Sequence, residues 1–199
     1  MATPRVARLQ RRTNETTITL ELNLDGVGAG RIATGVPFFD HMLDHVRKHG
    51  LFDLSIQAKG DYEIDDHHTV EDVGIVLGKA LYEALGDKRG IRRDGHAIVP
   101  MDEALALVAL DFSGRGLLVF QGAFPAQKVG TFDTELVPEF LRALAHNAAM
   151  TLHVQVLAGQ NTHHIIEGIF KALGQALRMA VALDPRRGDD VPSTKGMLE

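Results

Sequence analysis

The chain repeats itself, and the repeat limits the folds open to it more than any other feature. His67, His68 and Glu71 fall on His163, His164 and Glu167, and in the same register Leu77-Gly78-Lys79-Ala80-Leu81 falls on Leu173-Gly174-Gln175-Ala176-Leu177. Upstream the register changes by two residues, so that Met42, Leu43, Val46, Leu54 and Ile56 fall on Phe140, Leu141, Leu144, Leu152 and Val154. Further upstream, Thr16 to Leu22 matches Ala104 to Leu110, and both runs lead into a turn, at Gly26 or Gly114. Such a chain is expected to fold as two copies of one half-domain.

Alternating apolar residues that end in Asp-Gly or Ser-Gly read as strands, whereas the spacing of Met42, Leu43 and Val46, or of Val73, Val76, Leu77, Ala80 and Leu81, reads as amphipathic helix. The expected order in each half is β-β-β-α-β-α. Strands are expected at 5–12, 16–25, 29–34 and 51–60 with helices at 37–48 and 66–86, then strands at 96–101, 104–112, 116–122 and 150–158 with helices at 133–147 and 163–183. Residues 1–90 would form the first half, 91–185 the second, and 186–199 a tail without apolar periodicity, which by itself reads as flexible. Two helices cover one face of a four-stranded sheet, so the halves should pack through their sheets or through their helical layers. The fold class is α+β, internally duplicated.

A length of 199 residues with 45% hydrophobic content supports a proper core. The formal net charge of -5 and scattered basic residues argue against nucleic acid and favour a small-molecule partner. No apolar run approaches the roughly 18 residues of a membrane span, and the N-terminus lacks the apolar core of a secretory signal, so the expectation is a cytoplasmic protein with no membrane partner. There is no cysteine, so any metal must be held by imidazole and carboxylate.

Ten histidines then become the informative residues. Positions four apart share a helix face, so His67 with Glu71 and His163 with Glu167 can each grip one metal, while the adjacent His68 and His164 point about 100° away and would serve a second site. A single HHxxE could equally be a solvated helix start capped by Asp65 and Asp66, but recurrence at equivalent positions of a duplicated fold is hard to explain by capping. The register shift also places His41 on Glu139. The candidate metal ligands are therefore His41, His67, His68, Glu71, Glu139, His163, His164 and Glu167, four for each of two metals. The expected pairing joins His67 and Glu71 to His164, and His163 and Glu167 to His68, with cross-pairing between subunits open. His49, His96, His146 and His153 read as structural or surface residues, although His49 is carried with His41 and His45 as a candidate substrate contact.

The segments Gly35-Val36-Pro37-Phe38-Phe39-Asp40-His41-Met42-Leu43-Asp44-His45, Asp65-Asp66-His67-His68-Thr69-Val70-Glu71-Asp72 and Asn161-Thr162-His163-His164-Ile165-Ile166-Glu167 resemble the signature motifs of the imidazoleglycerol-phosphate dehydratase family. The resemblance runs from Arg12-Thr13-Asn14-Glu15-Thr16 to Ser193-Thr194-Lys195-Gly196, without a separate phosphatase domain, which corresponds to the monofunctional form. Two departures stand out: Glu139 follows Pro138 where many relatives carry His, and His45 stands where Gln is common.

This resemblance implies a hydro-lyase of histidine biosynthesis with a fold of the ribosomal protein S5 domain 2-like kind. It implies loss of water from D-erythro-imidazole-glycerol phosphate to give imidazole-acetol phosphate, and two Mn(II) ions per site that activate the imidazole ring as imidazolate. It also implies a 24-subunit homo-oligomer with active sites between subunits. The proton-transfer candidates are Glu15, Glu71, Glu167 and a metal-bound water, with Lys171 close to the reacting centre. Arg93, Arg115, Ser193 and Lys195 would hold the phosphate. Two other readings remain open on the residues alone. A dinuclear metallohydrolase would turn over generic phosphate esters, and a metal-storing assembly would need no phosphate cradle.

Overall fold

The computed structural model describes residues 4–198, and in it the expected alternation is realised as two four-stranded sheets of matching topology. The first contains β1 (Val6–Arg12), β2 (Thr17–Asn23), β3 (Ile32–Ala33) and β4 (Asp53–Lys59), and the second contains β5 (Asp94–Met101), β6 (Ala104–Asp111), β7 (Leu117–Gln121) and β10 (Thr151–Ala158). Their orders, β1-β2-β4-β3 and β5-β6-β10-β7, correspond strand for strand. In both sheets the last pair is parallel and the others antiparallel. The helices are α1 (Pro37–Gly50), α2 (His67–Leu85), α3 (Leu136–Asn147) and α4 (Thr162–Val181).

Period-two patterning decides which face of each sheet is covered. In β2 the side chains of Ile18, Leu20 and Leu22 are buried while Thr17, Thr19 and Glu21 face out, and in β6 Ala104, Ala106, Val108 and Leu110 are buried. α2 lies on β1 and β2, and α4 on β5 and β6. Each helix then packs against one from the other half, α1 on α4 and α2 on α3, so the halves meet through their helical layers.

The repeated glycine explains how closely those helices cross. A Cβ on Gly78 would stand 2.7 Å from the Leu144 carbonyl oxygen, and one on Gly174 would stand 2.9 Å from that of Val46. Leu144 and Val46 are themselves repeat partners, so the same contact is made at both crossings. Phe140 and Phe170 fill the space between α3 and α4 with stacked rings, 5.5 Å between centroids. α1 is followed by Leu51 at φ 56° and α3 by Ala149 at φ 50°, so both helices stop at a left-handed residue in the same repeat position.

Three expectations differ in detail. The strand expected at 29–34 shrinks to Ile32–Ala33, because Gly28 and Gly30 take φ of 82° and 119° and the preceding loop joins β4 through isolated bonds, from Leu54 and Ile56 N–H to its carbonyls and from its own N–H groups to the side chains of Asp53 and Ser55. A small hairpin, β8 (Lys128–Val129) with β9 (Phe132–Asp133), occupies a stretch too short to show alternation, and it delays α3 to Leu136. The tail, read as flexible, is tied down. Val191 is buried, Arg93 Nη1 donates to the Pro192 carbonyl at 2.9 Å, and Gly90 N–H donates to the Asp190 carbonyl at 3.0 Å.

Candidate active site

α4 presents His163, Glu167 and Lys171 on one face because they are spaced by four, and α1 presents His41, His45 and His49 for the same reason. The α1–α4 crossing brings the two rows together around the Glu167 carboxylate, which is only 7% exposed. Lys171 Nζ lies 2.6 Å from Glu167 Oε1, and His45 Nε2 lies 3.4 Å from the same oxygen. His163 Nε2 and His41 Nε2 are 3.2 and 3.6 Å from Oε2, and His41 and His45 bring their Nε2 atoms within 3.3 Å. Among the described residues, His41, His45 and Glu167 place ligand atoms all within 4.8 Å of one another.

The electrostatics of this cluster follow from burial and one lysine. Burial disfavours the Glu167 carboxylate, but the hydrogen bond from Lys171 and the charges of His45 and Lys171 outweigh it, with His163 adding a further hydrogen bond, and the pKa falls to about 2. Burial pushes His45 down to about 4, against the attraction of Glu167 and with help from His41, Lys171 and His49. His45 is then neutral near pH 7, so Lys171 is the cation that keeps Glu167 ionised there.

The α2–α3 crossing builds the repeat counterpart, and it has diverged. Glu139, Ala143 and Asn147 stand in place of His41, His45 and His49, and His67, Glu71 and Ile75 stand in place of His163, Glu167 and Lys171. Glu71, Ile75, Glu139, Ala143 and Asn147 line a cavity of about 480 Å³. Glu139, expected as a ligand, pairs with Arg142 one turn along α3. His67 stands at the start of α2, where its N–H donates to Asp65 Oδ1 at 2.8 Å.

The second histidine of each motif points elsewhere. The rings of His67 and His68 are 6.2 Å apart and inclined by 81°, and those of His163 and His164 are 6.2 Å apart and inclined by 77°. His68 Nδ1 meets Asp61 at 2.9 Å, with Glu15, a candidate for proton transfer, 3.9 Å from its Nε2. His164 Nδ1 meets Glu103 at 2.7 Å, with Asp102 3.7 Å from its Nε2. The hydrogen bond with Asp61 raises the pKa of His68, and that with Glu103 raises the pKa of His164. Glu103, hydrogen-bonded to His164 and to the N–H groups of Asn161 and Gln160, is held at about 2. Asp61, Asp102 and Glu103 were not singled out by the sequence reading. Only Glu103 carried a signal there, since the strand alignment that puts Thr16 on Ala104 puts Glu15 on Glu103.

The expected phosphate residues do converge. Arg93, Arg115, Ser193 and Lys195, from the residue before β5, the β6–β7 turn and the tail, line one cavity of about 780 Å³ with Ser113. Arg93 is oriented by a two-pronged pair with Asp111, at 2.6 and 2.9 Å. Lys171, expected close to the reacting centre, lies beside Glu167.

Comparison with known proteins identifies relatives of the whole chain. The family model for imidazoleglycerol-phosphate dehydratase matches residues 34–177. A relative of that description from Desulforamulus reducens is 63% identical over 194 residues, covering 98% of each chain, and one from Bacillus licheniformis is 62% identical over 195 residues, covering 98% of this chain and 100% of its own. The crystal structure of imidazoleglycerol-phosphate dehydratase from Staphylococcus aureus superposes with a TM-score of 0.82 at 43% identity, covering 90% of this chain and 99% of its own. That of the Pyrococcus furiosus protein, in complex with (S)-C348, gives 0.83 at 38% identity, covering 96% and 100%. With its histidine–carboxylate cluster, its duplicated α+β fold and these matches, the chain belongs to the imidazoleglycerol-phosphate dehydratase family, hydro-lyases of histidine biosynthesis.

Proposed function

We propose that the chain removes water from D-erythro-imidazole-glycerol phosphate to give imidazole-acetol phosphate, at a site that holds two Mn(II) ions and is completed between subunits. The cluster of His41, His45 and Glu167, with His163 beside it, carries this reading. Its donors are imidazole, neutral near pH 7 in His45, and an ionised carboxylate, the set that suits Mn(II) and related divalent ions, and no thiolate competes. His41, His163 and Glu167 would hold one ion with His68, while Glu139, His67 and Glu71 would hold another with His164; His45 enters as a donor that the sequence reading kept only for substrate. Bound Mn(II) would supply Lewis-acid activation of the substrate's imidazole ring as imidazolate.

The remaining work falls to protein groups. Glu15, half exposed and facing His68, would exchange the carbon-bound proton, and Lys171, 2.6 Å from Glu167, would stand beside the reacting centre. Arg93, Arg115, Ser193 and Lys195 would anchor the phosphate and so orient the substrate, with His49 at the edge of the α1 row. His68 and His164 turn away from the His163–Glu167 face, which supports metal sites shared between copies of the chain and hence a homo-oligomer, in this reading of 24 subunits. The two halves at 1–90 and 91–185, with 186–199 as a substrate-contacting tail, are part of the same proposal, as is a cytoplasmic location. No described helix is long and apolar enough to cross a membrane.

The test is imidazole-acetol phosphate formation by metal-stripped protein resupplied with Mn(II), beside a His67→Ala/His163→Ala variant. Restored activity that the variant lacks is expected. Tight metal binding with no turnover, or hydrolysis of simple phosphate esters instead, would overturn the assignment.

A further inference from the structure

The two outward-turned histidines share an arrangement that their sequence motif does not contain. In each, a carboxylate from outside the helix takes the Nδ1 atom: Asp61, from the loop after β4, meets His68, and Glu103, from the β5–β6 turn, meets His164. A carboxylate at Nδ1 requires the proton of a neutral ring to sit there, which leaves the Nε2 lone pair facing outward. Glu103 is held in place by its other oxygen, which accepts from the N–H groups of Gln160 at 3.1 Å and Asn161 at 2.7 Å. Asn161 in turn accepts from the N–H groups of His163 and His164 and so caps α4. The turn, the cap and the ring therefore form one hydrogen-bonded unit.

The repeat turns this into a division of labour. Glu103 and Glu15 are equivalent positions, each in the turn between the first two strands of its half. In the second half Glu103 is occupied at Nδ1. In the first half Asp61 occupies Nδ1, and Glu15 stands on the other side of the ring, 3.9 Å from Nε2, with more than half of its side-chain surface exposed. Asp61 sits in a loop that carries no matching acid in the second half, where Gly159 and Gln160 follow β10.

We infer that Glu103 and Asp61 are positioning residues that fix His164 and His68 for divalent-metal ligation through Nε2, and that Asp61 in the first half relieves Glu15 of this role and leaves it free for the substrate. The inference rests on the metal reading above and adds the residues that orient two of its ligands. Outer carboxylates of this kind change metal affinity by about 10- to 100-fold when removed.

The experiment is Mn(II) titration of the metal-stripped full-length protein, followed by calorimetry and by the electron paramagnetic resonance of free Mn(II), with thermal unfolding of the metal-free protein measured alongside. Glu103→Gln keeps a carbonyl oxygen for the N–H groups of Gln160 and Asn161 but presents no carboxylate to Nδ1. It should raise the Mn(II) dissociation constant of one site about 10- to 100-fold with unfolding little changed, and Asp61→Asn should do the same. Glu15→Gln should leave affinity within about twofold, since Asp61 already holds His68. Wild-type affinity in both Glu103→Gln and Asp61→Asn, or a loss in Glu15→Gln as large as theirs, would overturn the inference while leaving the metal reading intact. A wild-type protein that takes up no Mn(II) would overturn both. If Glu103→Gln unfolds, Asp61→Asn in the other half decides.

Discussion

Two glycines in one helix should respond to the same substitution with opposite sign. Gly168 and Gly174 both lie inside α4, where alanine is favoured over glycine by about 1 kcal/mol and also reduces the freedom of the unfolded chain. A Cβ on Gly168 would meet Ala106 Cβ at 3.6 Å and the Val99 carbonyl oxygen at 3.8 Å, ordinary contact distances. Gly168→Ala should therefore stabilise by roughly 0.5–1 kcal/mol, about 1–4 °C in Tm for a chain of this size. On Gly174 the same atom would stand 2.9 Å from the Val46 carbonyl oxygen and 3.0 Å from the Gly50 nitrogen. Those are backbone atoms of α1, which cannot rotate away as a side chain would. Overpacking costs about 1–3 kcal/mol and belongs near its upper end here, so after the helix gain Gly174→Ala should lose about 1–2 kcal/mol and about 2–8 °C. Because the displaced helix carries His41, His45 and His49, Gly174→Ala should also weaken Mn(II) binding, whereas Gly168→Ala should not. Thermal and urea unfolding of the metal-free proteins decides the matter. A Gly174→Ala variant at least as stable as wild type would show that the α1–α4 crossing is not limited by backbone contact.

Arg115→Ala should raise KM for the phosphorylated substrate by at least about tenfold, the loss of one charge-assisted contact, while Mn(II) stoichiometry stays unchanged, and an unaltered KM would refute the phosphate cradle. Asp53 receives the N–H groups of Val27 and Ala29 on one oxygen, both at 2.9 Å, and these bonds hold its carboxyl below the usual value of 3.8. A lowered folded-state pKa contributes stability that is present above pH 3.8 and is lost as pH falls through the lower folded value. Asp53→Asn keeps the accepting oxygen but not the charge, so its urea midpoint should fall less between pH 7 and pH 3 than that of wild type, and equal falls would assign the acid sensitivity elsewhere.

Much of this protein is written in local pattern. The alternation through Ile18, Leu20 and Leu22 and the spacing of Val73, Val76, Leu77 and Ala80 need only neighbours a few residues away, and the repeat doubled each signal, so most elements and their order along the chain were readable before any coordinates, whereas the strand order within each sheet was not. Spacing by four likewise placed His163 with Glu167 on one helix face. What sequence could not decide is which elements cross. His45 joins the Glu167 cluster, and Lys171 becomes the cation that holds that carboxylate ionised, only because α1 lies on α4; the repeat partners of these residues, Ala143 and Ile75, line a different cavity at the other crossing. Asp61, Asp102 and Glu103 reach the outward histidines from separate loops, and the tail is held to residues 90–93 by backbone carbonyls that no side-chain pattern reports. Periodicity along a chain specifies which face of an element is apolar, whereas the distance between atoms on two elements is a property of their packing, and both the chemistry of Glu167 and the orientation of His68 and His164 depend on that distance.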